Sequence, residues 1–274
     1  RTVRANTLDR LCEAYGDFPY ATLTAEAVMK IRNAKMETPE AANTIVKALR
    51  QVYRHAVEYN IEGITHDPTR EVKLLPSKNP DGFHAWTIDE VAQYRERHPI
   101  GSKARLALEL CLFGGCARRS DLVRLGRQHI TRDGRLRYTQ QKNRHKKPIE
   151  VDIPILPELH EAIDATPTGD MTFLITEFNL PFSAKGFGNW FKKRAREAGL
   201  EECSTHGMRK VGAEILAESG CTDHEIMAIG GWTTLKEVQR YSKKARRRVM
   251  ADNASRKIAD TSRTKLSNRP GSGG

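Results

Sequence analysis

Only one stretch of these 274 residues alternates the way a half-buried β-strand does. "RLRYTQ" (135–140) and "PIEVDIP" (148–154) read as two strands with a charged loop between them. "HIT" precedes them, followed by a turn at Asp133-Gly134. The pattern predicts a small antiparallel sheet. Almost everything else repeats with the period of a helix, so the fold class is mainly α with a small antiparallel β-sheet, an α+β arrangement. "TLDRLCEAYG" and "TAEAVMKIRNAK" are helical, and a longer helix opens at Thr38-Pro39-Glu40, where Pro at the first helical position is a start signal. In that helix Ala42, Ile45, Val46, Leu49, Val52 and Ala56 form one apolar stripe, with Lys47, Arg50 and Arg54 on a basic stripe roughly opposite. An ordinary amphipathic helix and a DNA-facing one fit this pattern equally well.

"EVKLLPSKNPDGFHAW" breaks the helical period with Pro, Gly and Ser. It divides the chain into a helical domain over 1–80, a linker over 81–86 and a mixed domain over 87–260. "TIDE" at Thr87–Glu90 fits a capping box that starts the second domain. "SKARLALELCLFGG" is apolar nearly all round, which predicts a buried helix. "KGFGNWFKKRAREAG", "THGMRKVGAEILAESG", "TDHEIMAIGG" and "TLKEVQRYS" return to helices after the sheet. "KKARRRVMADNASRKIAD" is helical too. Its Met250, Ala254 and Ile258 form a stripe too narrow to anchor a long helix without a docking surface. Residues 261–274, ending "RPGSGG", read as a flexible tail or an appended linker.

The formal net charge of +12 makes a polyanion the first partner to consider. More than half of it lies from Lys244 onward, where nine Lys and Arg face Asp252 and Asp260. No apolar run is long enough to span a bilayer, and no signal-peptide pattern occurs. Five cysteines, at 12, 111, 116, 203 and 221, include no Cys-x-x-Cys pair. Their spacing suggests neither a disulfide framework nor a zinc site, and a reducing cytoplasm fits best.

Four segments carry candidate chemistry. His206 and Arg209 are three residues apart at the start of a helix, so they share a side of it, where the dipole favours an anion. In "GGCARRSDLVRL", Arg118 ends an apolar helix, and Ser120 and Asp121 cap the next short one. An Arg delivered by a buried helix calls for a partner. "QQKNRHKKP" puts Lys142 where a strand leaves for a tight loop, and "GGWTTLKEVQRYS" supplies Trp232 and, nine residues on, Tyr241. Each segment alone is unspecific. His129, His145, His160 and His224 read as surface or structural, Cys111 and Cys116 as packing, Trp190 and Phe191 as core. Tyr138 lies in a strand.

In this order and spacing the segments resemble the tyrosine recombinases, the phage-integrase family. That family's pattern is an Arg in a Gly-x-Arg-x-Ser-Glu-Leu context, a Lys on a β-hairpin, His-x-x-Arg, a His or Trp, and a Tyr nine residues further on. It falls here on Arg118, Lys142, His206 with Arg209, Trp232 and Tyr241. The resemblance is specific over 87–245 and loose over 1–80. Cys116 stands in place of the family's Gly, Asp121 of its Glu, Asn143 of the Thr after its Lys, and Trp232 of the usual His. Arg144, Lys146 and Lys147 compete with Lys142 for the hairpin lysine's place.

The resemblance implies a site-specific recombinase that integrates or excises a mobile element through a 3′-phosphotyrosine. Tyr241 would attack the phosphodiester, and Arg118 and Arg209 would hold its non-bridging oxygens. His206 would assist proton transfer, Lys142 would protonate the 5′-oxygen, and Trp232, a donor only, would bind a phosphate oxygen. Asp121 would buttress Arg118. One phosphodiester is exchanged for another, so no cofactor and no metal are expected. The implied partners are double-stranded DNA, gripped between the two domains and contacted by Lys47, Arg50, Arg54, Arg144, Lys146, Arg246 and Arg247, and further copies of the chain in a tetramer on paired sites, with accessory DNA-bending or directionality proteins. The implied location is the prokaryotic cytoplasm, on the nucleoid, with a host or phage gene as source. Two other readings remain: a type IB topoisomerase, and a non-catalytic DNA-binding protein of recombinase descent.

Overall fold

A computed structural model describes residues 3–79, 82–142 and 144–267, with the side chains of 244 and 262–267 excepted. Asn143 and the end of the expected tail, 268–274, lie outside the described residues. The chain divides into two compact units, 1–82 and 83–274.

The first unit is helical. It comprises α1 (Val3–Tyr15), α2 (Ala25–Asn33) and α3 (Pro39–Glu58). Thr24 caps α2 by accepting the Ala27 N–H, and Pro39 opens α3. The apolar stripe of α3 differs from the sequence expectation near its end. Ala42, Ile45, Val46 and Ala56 are buried, but Val52 is exposed, and Ala48 and Tyr53 are buried instead. The Tyr53 hydroxyl reaches the Tyr20 carbonyl, which turns the buried face by one position. Arg50 is half-buried and donates to the carbonyls of Thr69 and Val72, both at 3.0 Å. Its guanidinium therefore ties down the extended segment after α3 and is not a free surface cation. Lys47 and Arg54 are exposed.

The second unit begins earlier than its composition suggests. Residues 83–86 read as linker, yet Trp86 is fully buried and its indole donates to the Ser204 carbonyl at 2.9 Å. The capping box at Thr87 and Glu90 forms as expected and starts α4 (Ile88–Arg97). It is followed by α5 (Lys103–Phe113), α6 (Arg119–Leu122), β1 (Arg135–Thr139), β2 (Glu150–Pro154) and α7 (Pro157–Ala165). The chain ends in α8 (Ala184–Glu197), α9 (Thr205–Glu218), α10 (Asp223–Gly230) and α11 (Leu235–Ser267).

α5 is buried from Leu106 to Leu112, as its all-apolar sequence requires. The one charge in that buried stretch, Glu109, is matched by Arg95 at 2.8 Å and by Arg105 of the same helix, which is how a carboxylate survives at full burial. β1 and β2 pair antiparallel with Leu136 opposite Ile153 and Tyr138 opposite Val151. These four side chains point into the core. The Asp133-Gly134 turn precedes β1, with Gly134 at φ 74°. Around this core run Phe173, Phe187 and Phe191, while Trp190 is only partly covered.

α11 packs on α9 and α10 through Val238, Ser242 and Ala245. Residues 250–261 are exposed, and Met250 and Ile258 each keep 67% of their surface open. The segment up to 260 is helical as expected, and the helix runs on to Ser267, into the stretch read as a flexible tail. Among the described residues no helix is long and apolar enough to cross a membrane.

Candidate active site

The site is built where the end of α5, the exit of β1, the start of α9 and the end of α10 meet. Leaving α5, the chain turns through Gly115 at φ 77° and Cys116 at φ 47°. A left-handed backbone at Cys116 is a conformation that glycine adopts without cost and that a residue with a Cβ rarely takes. Burial pushes the Cys116 thiol up to about 11, and it packs as a neutral group against Gly212 of α9.

That turn aims Arg118 at β1. Its Nη1 donates to Gln140 Oε1 at 2.6 Å, and Gln140 Nε2 donates to the Gly230 carbonyl at 3.0 Å. Arg209, from the first turns of α9, donates to the same Gly230 carbonyl at 2.9 Å and to the Cys116 carbonyl. The two arginines are thus fixed by one closed circuit, Arg118–Gln140–Gly230–Arg209–Cys116. Burial lowers the Arg209 pKa first and Arg118's charge lowers it further, while Tyr241 opposes both. A guanidinium remains charged throughout.

Asp121 acts through the backbone. Its carboxylate accepts the N–H of Arg118 at 3.2 Å and of Gln141 at 2.7 Å. It fixes the main chain under Arg118 and at the loop entrance before Lys142, and does not touch the guanidinium. Asp121 lies inside α6, not before it, and Arg118 is the flanking residue that its carboxylate caps.

Trp232 is 5% exposed, and its ring lies 4.1 Å from the Arg209 guanidinium carbon, a cation–π contact. It sits so close to Gly230 that a Cβ there would come within 1.9 Å of the indole. Tyr241, half-buried on α11, has its ring 6.3 Å from that of Trp232. Asp223 anchors this part of α11, pairing with Arg246 at 2.7 Å and accepting from Ser242 at 3.4 Å. Arg246 also donates to the Cys221 carbonyl at 2.9 Å. These bonds hold the helix that carries Tyr241. Arg247 is exposed.

His206 sits in the first turn of α9, exposed on one side and stacked on Phe83 with centroids 4.6 Å apart. Partial burial, then the charge of Arg119, lowers its pKa, which keeps the imidazole neutral near pH 7. The side chain of Ser204, the N-cap, makes no capping bond; the Gly207 N–H donates to the Ser204 carbonyl at 3.0 Å instead. Lys142, Arg144, Lys146 and Lys147 are all exposed in the loop between β1 and β2. Arg144 bonds Gln141 at 3.0 Å, and Lys142 is not drawn into the circuit of the arginines.

Gln140, Phe83, Arg119 and the Gly230 carbonyl were not singled out from sequence. Tyr138 is accounted for: burial raises its pKa, and its hydroxyl donates to the Gly114 carbonyl at 2.9 Å. Cys111 is buried in the core, and His160 pairs with Asp164 on the surface.

The model of the phage integrase family matches residues 85–248. No curated protein sequence matches significantly. Among solved structures, a lambda integrase dimer bound to a COC' core site has a TM-score of 0.73 at 19% identity, over 87% of this chain and 86% of that one. A lambda integrase tetramer bound to a Holliday junction has a TM-score of 0.69 at 19% identity, over 85% and 70%. The Tn1549 transposon integrase in complex with circular intermediate DNA has a TM-score of 0.67 at 15% identity, over 88% and 90%. At these identities the likeness is one of fold.

Proposed function

The chain belongs to the phage integrase family, the tyrosine recombinases, and we propose that it cuts and rejoins duplex DNA with Tyr241 as nucleophile. The observation that carries this reading is the circuit that holds two half-buried guanidiniums beside the Trp232–Tyr241 pair.

A phosphodiester seated there places its non-bridging oxygens against Arg118 and Arg209, whose remaining N–H groups complete the circuit. The Tyr241 oxygen attacks phosphorus and the bond to the 5′-oxygen breaks, giving a 3′-phosphotyrosine and a 5′-hydroxyl. The phenol's proton leaves by way of His206, neutral and therefore able to accept it. Lys142, from its exposed loop, protonates the departing oxygen. The Trp232 ring supports Arg209 from below, and its N–H donates to a phosphate oxygen. A 5′-hydroxyl from another strand reverses the step.

Lambda integrase is bound to DNA as a dimer and as a tetramer in the structures this chain resembles. By that likeness the substrate is duplex DNA, and the working assembly is a tetramer on paired sites. Integration or excision of a mobile element in a prokaryotic cytoplasm, with accessory DNA-bending proteins, completes the proposal.

The test is covalent trapping. Duplexes selected for binding from a random pool are nicked near the site, so that the 5′-hydroxyl is lost by diffusion. Wild-type protein should accumulate a denaturation-resistant adduct. Tyr241→Phe should bind the same duplex with nearly unchanged affinity and form none. An adduct that persists in the variant overturns the assignment.

A further inference from the structure

Cysteine spacing in the sequence suggests no metal site, yet the fold collects three donors from distant segments. His84 precedes α4, Glu90 lies in its first turn, and Cys203 precedes α9. One donor atom from each lies within 4.8 Å of the others. We propose that His84, Glu90 and Cys203 bind one divalent transition-metal ion of the zinc class, at a site separate from the arginine circuit.

The donor set selects the metal. Imidazole nitrogen, thiolate sulfur and carboxylate oxygen together suit zinc and similar ions, whereas magnesium and calcium take oxygens. Bonds of about 2.0–2.3 Å to a tetrahedral ion put neighbouring donors roughly 3.3–3.7 Å apart. His84 Nε2 and Glu90 Oε1 are now 2.9 Å apart, so a small opening of that pair admits the ion.

The surroundings are those of a supported ligand set. Glu90 is held by its capping role, with Oε2 accepting the Thr87 N–H at 2.7 Å, while both carboxylate oxygens face His84 Nε2, Oε1 at 2.9 Å and Oε2 at 2.8 Å. Second-partner bonds of this kind orient metal ligands. Cys203 is 1% exposed and closes the inner side. His84 is exposed, which gives the ion a route in and leaves its fourth position to water. Without an ion the Cys203 thiol hydrogen-bonds to the Glu90 carboxylate, which also pairs with His84, so the three donors already converge on one point. Metal binding displaces the thiol proton to solvent, so uptake releases protons.

The position gives the site a use. Phe83, next to His84, is the residue stacked on His206, and Cys203 is next to Ser204, the N-cap of the helix that carries His206. An ion joining His84 to Cys203 braces the backbone on both sides of that stack.

The experiment titrates cobalt(II) into the full, chelator-treated protein and reads absorbance. Wild type should develop a thiolate-to-cobalt charge-transfer band and tetrahedral visible bands that saturate at one ion per chain. Cys203→Ser should lose the charge-transfer band, and His84→Ala should bind at least about tenfold more weakly. The other four cysteines remain as internal controls. Independently, zinc at a hundredfold excess over its Kd should raise the wild-type Tm by about 5–10 °C, and much less in either variant. His84 is exposed, so its variant reports even if Cys203→Ser folds poorly. No charge-transfer band in wild type, or the same band and the same zinc shift in both variants, overturns the proposal.

Discussion

Replacing Gln140 by leucine keeps the volume and removes both links that this side chain makes. The first is the 2.6 Å bond from the Arg118 guanidinium, and the second is the 3.0 Å bond to the Gly230 carbonyl. Gly230 keeps Arg209 as a donor, so the carbonyl is not orphaned. Arg118 loses the one side-chain acceptor that fixes its direction. A hydrogen bond to a charged group contributes about 1.5–3 kcal/mol. If that energy keeps the guanidinium on the phosphate in the transition state, its loss slows cleavage by about 10- to 150-fold. DNA affinity should change little, because Gln140 is fully buried and offers no surface to a ligand. The assay is single-turnover formation of the covalent adduct at saturating nicked duplex, with Kd measured separately by gel shift. Folded Gln140→Leu protein that cleaves at the wild-type rate would refute the reasoning. So would equal losses in binding and cleavage, which would make Gln140 part of the DNA surface and not a positioner of Arg118.

Gly230→Ala should force the indole of Trp232 away, since the added carbon would lie 1.9 Å from it. Overpacking of this kind costs about 1–3 kcal/mol, and a lowered Tm with impaired cleavage should follow. A variant with wild-type Tm and activity would show that the close approach does not exist. Arg209→Ala removes a charged donor to the transition state, typically about 3–4 kcal/mol. Adduct formation should therefore fall several hundredfold or more while binding falls much less, and near-normal cleavage would take Arg209 off the phosphate. Lys142→Ala should be slow on ordinary DNA and recover when the 5′ bridging oxygen is sulfur, because a thiolate leaves without a proton. Rescue of Lys146→Ala or Lys147→Ala but not of Lys142→Ala would move the acid role along the loop.

Local rules made much of this chain legible. The box at Thr87 is contained within four residues, and it forms. The all-apolar run at 106–112 can only be buried. The alternation of Leu136, Tyr138, Val151 and Ile153 fixes their shared face. What escaped depends on partners far along the chain. Gln140 bonds a carbonyl 90 residues away, and nothing in "TQQKN" distinguishes it from Gln141. Arg246 resembles Arg247 in sequence, but only Arg246 meets Asp223. Phe83 sits in a stretch whose composition says linker, and only its stack on His206 says otherwise. The replacement of glycine by Cys116 is visible in the sequence. That the backbone there is left-handed at φ 47° is a property of the assembled turn.

α11 is continuous in its hydrogen bonds and divided in what stabilises it. Up to Ala245 it is held by buried side chains and the Asp223 anchor, whereas residues 250–261 are all exposed. A helix of that outer length is marginal in water when nothing packs against it. Melting that starts at the far end therefore stops near Val249, two turns past Tyr241, where side-chain packing takes over from helix propensity. The outer segment can exchange between helix and coil on its own account, and the tyrosine does not feel the fluctuation.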